Sequence, residues 1–498
     1  MALGGTLQSS RECPHRERGR RWVVTDVRDQ SSDTPVAQCQ SIALGRERDA
    51  SAATSQQAYG AEVEPNVPIS RWSIATLSRQ TALVFSGKMV GAGLSFVISL
   101  LVARWLGPED FGLFSLFIVI LILGNDVLGE GLNPGVVRYY TMYCGSHPTT
   151  ASAVLSNALL LRVALGIPVI LVGAALAVGA NKLFHDSRYA WPVILGLIGS
   201  CGAALVSFSL SAWQARQEFS TYSLMAPLVN VLRLVSLAGL ALVGPVALEP
   251  IIGLHVASYY LCTVLGLWIL RPHLIFRLDK ELLKELLRFG KWPAMASLCF
   301  VLQNNLAVPV LTYTVGATEA GLFAAGLSLL LVVDLLTASL ITTLLPKVGF
   351  LTDHAQWRSY IRRFLPLFLW MALVLLPFVF VARPIVLWLF GPSYEGTVPV
   401  VQLLFLGTIG TLMTHPLYPV LYTMNRPYLF SLTQGVALLG WILAGWWLIP
   451  LYGALGAAET TLWSRLLQSI VLVVVLRYAL ASTLHKGSGD LVPGAGGV

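Results

Sequence analysis

The chain has 498 residues, 55% of them hydrophobic and only 12% charged, with a formal net charge of +8. A soluble protein carries roughly 25% charged residues to cover its core, so a soluble enzyme or carrier is excluded. The positive balance does not point to nucleic acid, because ten basic residues precede the first apolar segment (Arg11 to Arg79) and most others fall in loops on one side of the chain's apolar blocks.

Residues 1–74 are rich in Arg, Ser, Gln and Asp and hold no sustained apolar run. They read as a disordered basic tail, and without an apolar core stretch they do not form a secretory signal. The remainder is an all-α integral membrane protein. Apolar blocks of about twenty residues, the length that crosses a hydrocarbon layer, predict about 12 transmembrane helices at 81–103, 111–136, 153–178, 191–212, 221–243, 250–270, 292–314, 320–345, 364–389, 398–421, 428–449 and 454–477. Gly107-Pro108-Glu109-Asp110, Asn425-Arg426-Pro427 and Pro450-Leu451-Tyr452-Gly453 supply turn chemistry between them. Pro366 and Pro377 are expected to kink the ninth span. Trp105, Trp191, Trp268, Trp292, Trp388 and Tyr394 fall at span ends, as interfacial anchors do. Within 271–291, Leu278 to Arg288 places apolar residues three and four apart, predicting an amphipathic linker helix along the cytoplasmic surface. Residues 481–498 read as a second disordered tail.

Lys and Arg set the orientation. With a cytoplasmic N-terminus the inside gaps and C-terminal end hold fifteen basic residues and the outside gaps four, in accord with the positive-inside rule. Both termini are therefore expected inside.

The chain also repeats. Gly107-Pro-Glu-Asp-Phe-Gly112-Leu113-Phe114 recurs as Gly316-Ala-Thr-Glu-Ala-Gly321-Leu322-Phe323, 209 positions later, and within a residue of that offset Asp126 meets Asp334 and Arg216 meets Arg426. Duplication with six spans per half predicts two six-helix bundles, 75–270 and 292–480, related by a pseudo-twofold along the membrane normal. Two such bundles around a central cavity suit alternating access.

An ionisable side chain at bilayer depth costs at least ~2.5–3.5 kcal/mol, so it faces a cavity or a partner. Lys88, Asp126, Glu130, Arg162, Arg233, Asp334, Glu459 and Arg465 are the candidates. Asp126 and Glu130 share one helical face, and Gly131-Leu132-Asn133-Pro134-Gly135 is expected to break that helix. Gln303-Asn304-Asn305 adds a polar cluster in the seventh span. Interhelical pairing, such as Arg233 with Asp126 or Arg465 with Glu459, is the competing structural role. A cationic lining suits an anionic headgroup such as a diphosphate, because guanidinium binds phosphate oxygens bidentately. The acids could instead couple to protons or sodium.

Lone His255 and His415 read as core residues, and Gly87-xxx-Gly91 with Ser95 and Ser99 as a helix-packing stripe. The six cysteines, Cys13, Cys39, Cys144, Cys201, Cys262 and Cys299, have neither paired nor metal spacing, so no disulfide, metal or cofactor is expected. No nucleophile, metalloprotease or phosphate-loop motif occurs. Every outside gap is about twenty residues or shorter, which argues against a membrane glycosyltransferase or polymerase.

Ser99-Leu100-Leu101-Val102-Ala103-Arg104-Trp105-Leu106-Gly107-Pro108-Glu109-Asp110-Phe111-Gly112-Leu113-Phe114 resembles the first loop of the bacterial polysaccharide-unit flippases of the multidrug/oligosaccharidyl-lipid/polysaccharide exporter superfamily. Val136-Val137-Arg138-Tyr139, Leu287-Arg288-Phe289-Gly290, Leu389-Phe390-Gly391-Pro392-Ser393-Tyr394 and Tyr452-Gly453-Ala454-Leu455-Gly456-Ala457-Ala458 are similar to later motifs of that family, over about residues 75–480. The resemblance implies a V-shaped pair of six-helix bundles in the bacterial plasma (inner) membrane, flipping an undecaprenyl-diphosphate-linked oligosaccharide outward, without enzymatic activity of its own. It implies as partners that lipid-linked substrate, membrane lipids, and the polysaccharide polymerase and glycosyltransferases. By position Lys88 and Arg138 look like the family's basic residues of the first two helices. With Arg162 and with Arg233, taken from depth alone, they form the expected diphosphate-binding set. Asp126, Glu130, Asn304, Asn305 and Asp334 form the expected ion-coupling or cavity-polar set; family members often carry an Asp in the seventh helix, where this chain has Asn304 and Asn305. The alternative function is a cation-coupled small-molecule antiporter of the multidrug-extrusion type.

Overall fold

In the computed structural model of the chain, residues 74–487 are described apart from 146, 184–186, 276–277, 349–353, 415–416 and 418–426. The expected N-terminal tail, His415 and Arg426 lie outside the described residues, as does the side chain of Asp334. All regular structure among the described residues is helical. The α-helices are α1 Ile74–Val127, α2 Asn133–Cys144, α3 Pro148–Leu183, α4 Ala190–Ala215, α5 Phe219–Val243, α6 Leu248–Leu270, α7 Lys280–Asn305, α8 Ala307–Thr314, α9 Ala317–Val348, α10 His354–Phe380, α11 Ala382–Leu389, α12 Thr397–Thr414, α13 Pro427–Tyr452 and α14 Ala454–Gly487. The last continues well into the segment expected as a tail.

Two spans are joined within α1. Gly107 has φ 76° and ψ 174°, a backbone that a side chain would strain, and Pro108 restarts the helix where its missing N–H costs nothing. The repeat places Gly316 equivalently, at φ 132° between α8 and α9. Among the described residues, eight helices are long and apolar enough to cross a membrane, or up to ten when each bent pair is one span. Dividing α1 at Gly107 and adding the 32-residue α9 accords with the expected number of about twelve. One bent pair is α7 with α8, at 45°. The other is α10 with α11, at 69°; it follows Pro366 and Pro377, and Gln402 Nε2 donates to Val379 O beside the bend at 3.0 Å.

At the Gly107 end, α1 and α9 meet at the repeated motif itself. A methyl group on Gly112 would overlap the carbonyl oxygen of Ala317, and one on Gly321 would overlap that of Pro108. These contacts exchange under the 209-residue offset, so the pair touches as an isologous interface does. Close backbone approach through small residues is what holds helices together without a hydrophobic driving force. Ser99 Oγ and Ser328 Oγ lie 2.9 Å apart on the same junction. Of the expected interfacial anchors, Trp105, Trp191, Trp268 and Trp388 are exposed, but Tyr394 is fully buried. Its ring meets Phe111 edge-on and its hydroxyl donates to Ala103 O at 2.8 Å, tying the late loop to the first span. Tyr394→Phe should cost about 1 kcal/mol, the net value of one buried hydrogen bond, read as a lower melting temperature in detergent with insertion unchanged.

The linker helix differs from expectation. Asp279 caps it, accepting from the backbone N–H of Glu281 (3.1 Å) and Leu282 (3.2 Å), and α7 then runs unbroken through Pro293 to Asn305. It is continuous with the seventh span, whose apolar part begins at Pro293, and is not a separate helix. Leu282 and Leu286 are buried with Val136, Tyr140 and Trp213 of the first half. Further along, Gln303 Nε2 donates to Ser464 Oγ (3.1 Å) and Gln468 Oε1 (3.3 Å) of α14. One helix thus packs on both halves.

Candidate functional site

The expected break in the second span is present. α1 ends at Val127, Gly129 adopts φ 133°, Glu130–Leu132 form one 3-10 turn, and Asn133 opens α2 with Pro134 in its first turn. Gly131 lies against Ala294 of α7 so closely that a methyl group there would meet the Ala294 backbone. A cavity of about 530 Å³ opens beside this contact. Glu130, Asn133 and Arg138 line it from the first half, Gln214 from the end of α4, and Ser297 from α7.

Arg162, expected to bind substrate phosphate, does something else. It is 2% exposed, and its guanidinium donates to Gly129 O (2.9 Å), Asn133 Oδ1 (2.5 Å) and Ala158 O (3.1 Å). Its face lies over Phe208, 5.3 Å from the ring centre. It bridges both sides of the break, from the Gly129 carbonyl before it to the Asn133 side chain after it. Asn133 Nδ2 in turn donates to Ser207 Oγ at 2.8 Å, and Ser207 donates to Glu130 Oε2. Asn125 Nδ2 reaches the same oxygen at 3.4 Å. This chain of bonds fixes the Glu130 carboxylate at the cavity wall, and Oε1 has no partner among the described residues.

Arg138 lines the cavity with its guanidinium over the Phe289 ring, 4.6 Å from the centre, a contact of about 0.5–2 kcal/mol. Asp126 is buried, and its Oδ1 accepts from Ser297 Oγ at 2.5 Å; it is not paired with Arg233. Arg233 sits elsewhere, between α5, α6 and α1. It lies 4.2 Å over the ring of Tyr259 and donates from Nη1 to Asn230 Oδ1 at 3.1 Å, while Asn230 donates to Gly91 O at 2.8 Å. Lys88 is on an exposed face of α1 and does not line the cavity. Asn304 and Asn305 donate back to their own helix, at Phe300 O (2.8 Å) and Val301 O (2.9 Å), while Gln303 makes the cross-helix bonds. His255 is buried between Phe114 and Phe117, with Nδ1 3.0 Å from Ile251 O, as a core residue.

Of the nine expected site residues, Glu130 and Arg138 therefore face the cavity, and Asp126 and Arg162 support it from behind. Asn133, Ser207, Gln214 and Ser297 were not among those expected. A search for charge within spans passes over neutral amides and hydroxyls; Asn133, inside the helix-breaking stretch, was the most accessible of the four.

A family model described as polysaccharide biosynthesis protein matches residues 77–349. Among solved structures, the chain is similar to a lipid II flippase, MurJ, in an inward closed conformation, with TM-score 0.67 at 12% identity over 82% of this chain and 93% of that one. It is also similar to an inward-facing multidrug resistance MATE family transporter of the MOP superfamily, with TM-score 0.63 at 14% identity over 79% and 95% of the two chains. A third, a MOP superfamily transporter from Pyrococcus furiosus, gives TM-score 0.58 at 14% identity over 82% and 95%. At such identities the likeness establishes the fold, that of the MOP transporters. No curated protein sequence matches.

Proposed function

We propose that this chain, which belongs to the polysaccharide biosynthesis protein family, flips a lipid-diphosphate-linked oligosaccharide from the inner to the outer leaflet of the bacterial plasma membrane, with both termini cytoplasmic and without catalysing a covalent step. Undecaprenyl is the proposed lipid. The observation that carries this reading is the cavity at the broken second span, where the exposed Arg138 stands with Glu130, Asn133, Gln214 and Ser297 in a wall completed by Pro134, Val137 and Pro293. A guanidinium in a site partly screened from water is well suited to phosphate oxygens. The excess of basic residues in alternate loops supports a cytoplasmic Arg138 end. The backbones touch at the Gly112–Gly321 junction, toward the other end of the second span, which fits loading from the Arg138 side.

Membrane-impermeant labelling of lipid-linked sugars tests this. In cells expressing Arg138→Ala, outward exposure should fall at least tenfold, a loss of about 1.4 kcal/mol or more in translocation efficiency, with the protein inserted normally. Unchanged exposure in cells lacking the protein would end the proposal. The buried Asp126 and the cavity-facing Glu130 favour the second reading, a cation-coupled small-molecule antiporter. Under it, Asp126→Asn would abolish drug efflux and Arg138→Ala would spare it.

A further inference from the structure

The cavity does not have the charge pattern of a site for diphosphate alone. A carboxylate beside a phosphate repels it, and here Glu130 is held in place rather than allowed to turn away. Ser207 and Asn125 both hold Oε2, Ser207 is itself fixed by Asn133, and Asn133 by Arg162. What remains is one oriented acceptor, Oε1, at the wall of a cavity whose other polar groups include the carboxamides of Asn133 and Gln214 and the hydroxyl of Ser297. Bonds of this kind, to fixed acceptors and amides that read hydroxyl groups, discriminate well because an unmatched polar group is left unpaired. The cavity, about 530 Å³, lies within the ~300–1,000 Å³ typical of small-molecule sites. That is more room than a bare diphosphate fills.

We propose that Glu130, with Gln214, reads hydroxyl groups of the sugar joined to the diphosphate, and that this pair sets a preference for the glycosylated over the bare lipid. Resting on the reading that the ligand is a lipid diphosphate, it assigns Arg138 to the phosphate and Glu130 to the sugar. A glutamine can substitute, because its oxygen keeps the bonds from Ser207 and Asn125 while its NH2 donates to a sugar hydroxyl oxygen. A coupling site for a cation cannot be served that way.

The test titrates a short-chain polyprenyl diphosphate, bare or carrying one hexose, into the full chain in nanodiscs. The wild type should bind the hexosyl form about tenfold more tightly. Glu130→Ala should bring that ratio close to one, Gln214→Ala should lower it in the same direction, and Glu130→Gln should retain most of it. Melting temperatures of all three variants report whether the fold is intact. If Glu130→Gln loses the preference as completely as Glu130→Ala, the charge is what matters and the sugar-reading role is wrong. Equal binding of both lipids by the wild type would also overturn it, while leaving the flippase reading in place. Binding of neither lipid would instead overturn the flippase reading itself.

Discussion

Gly112→Val should reduce translocation at least tenfold while leaving the protein in the membrane at normal abundance. The added side chain meets the carbonyl oxygen of Ala317, a backbone atom at the start of α9, so relief requires moving the helix and not a rotamer. Because the repeat makes the contact reciprocal, Gly321→Val should give the same defect against Pro108. A loss of tenfold corresponds to about 1.4 kcal/mol, small beside the cost of separating two packed backbones. Gly239→Ala is the matched control, since nothing lies within 4 Å of a methyl group there. A structural readout accompanies the functional one. Ser99→Cys with Ser328→Cys reports the junction, whose hydroxyls are 2.9 Å apart, and oxidative cross-linking of the pair should fall when Gly112→Val is added. Wild-type transport together with undiminished cross-linking would show that the junction is not part of the transport cycle.

Removal of the Arg162 guanidinium should be the most damaging single change near the cavity. Arg162→Met keeps the stem beside Phe208 but removes the donors to Gly129 O and Asn133 Oδ1. Hydrogen bonds from a charged donor contribute about 1.5–3 kcal/mol each, and the oxygens left behind are buried in the break. The relief of an expensive buried cation offsets part of that. The expected result is a destabilisation of about 3 kcal/mol, seen as a lower melting temperature, and loss of transport as Glu130 is released from its chain of partners. Arg162→Lys should restore little, because an ammonium is a point donor and cannot span both sides of the break. Were Arg162 a phosphate ligand, Lys would keep much of the activity and the melting temperature would be unaffected in both variants.

Much of the fold was legible from the sequence because membrane spans are written in one dimension. The expected fourth span, 191–212, is observed as Ala190–Ala215, and the broken second span was readable from Gly131 to Gly135 because glycine and proline act locally. The site was less legible for a geometric reason. Depth in the bilayer follows from counting residues, but the direction a side chain takes around its helix depends on neighbours that the chain order does not reveal. Arg162 and Arg233 were placed within their spans, yet one clamps backbone carbonyls and the other stacks on Tyr259 away from the cavity. Tyr394 looked interfacial by position and is buried because the loop after Gly391 folds back onto Ala103. Asn304 and Asn305 looked like cavity groups, but an amide in a helix can satisfy itself on the carbonyl four residues earlier.

The two-sided packing of α7 bears on how the protein is made. The ribosome finishes the sixth span before it reaches Leu282, Leu286 and Ser297, yet those residues complete the cluster around Val136 and Tyr140 and supply the partner of Asp126. A nascent chain ending at residue 270 would hold a carboxylate without its hydroxyl donor and an apolar face without its cover. The two repeats are therefore not interchangeable during biogenesis. The earlier one matures only after the later one has begun to emerge, and a gene split between them would need the severed linker on the first fragment for that fragment to accumulate.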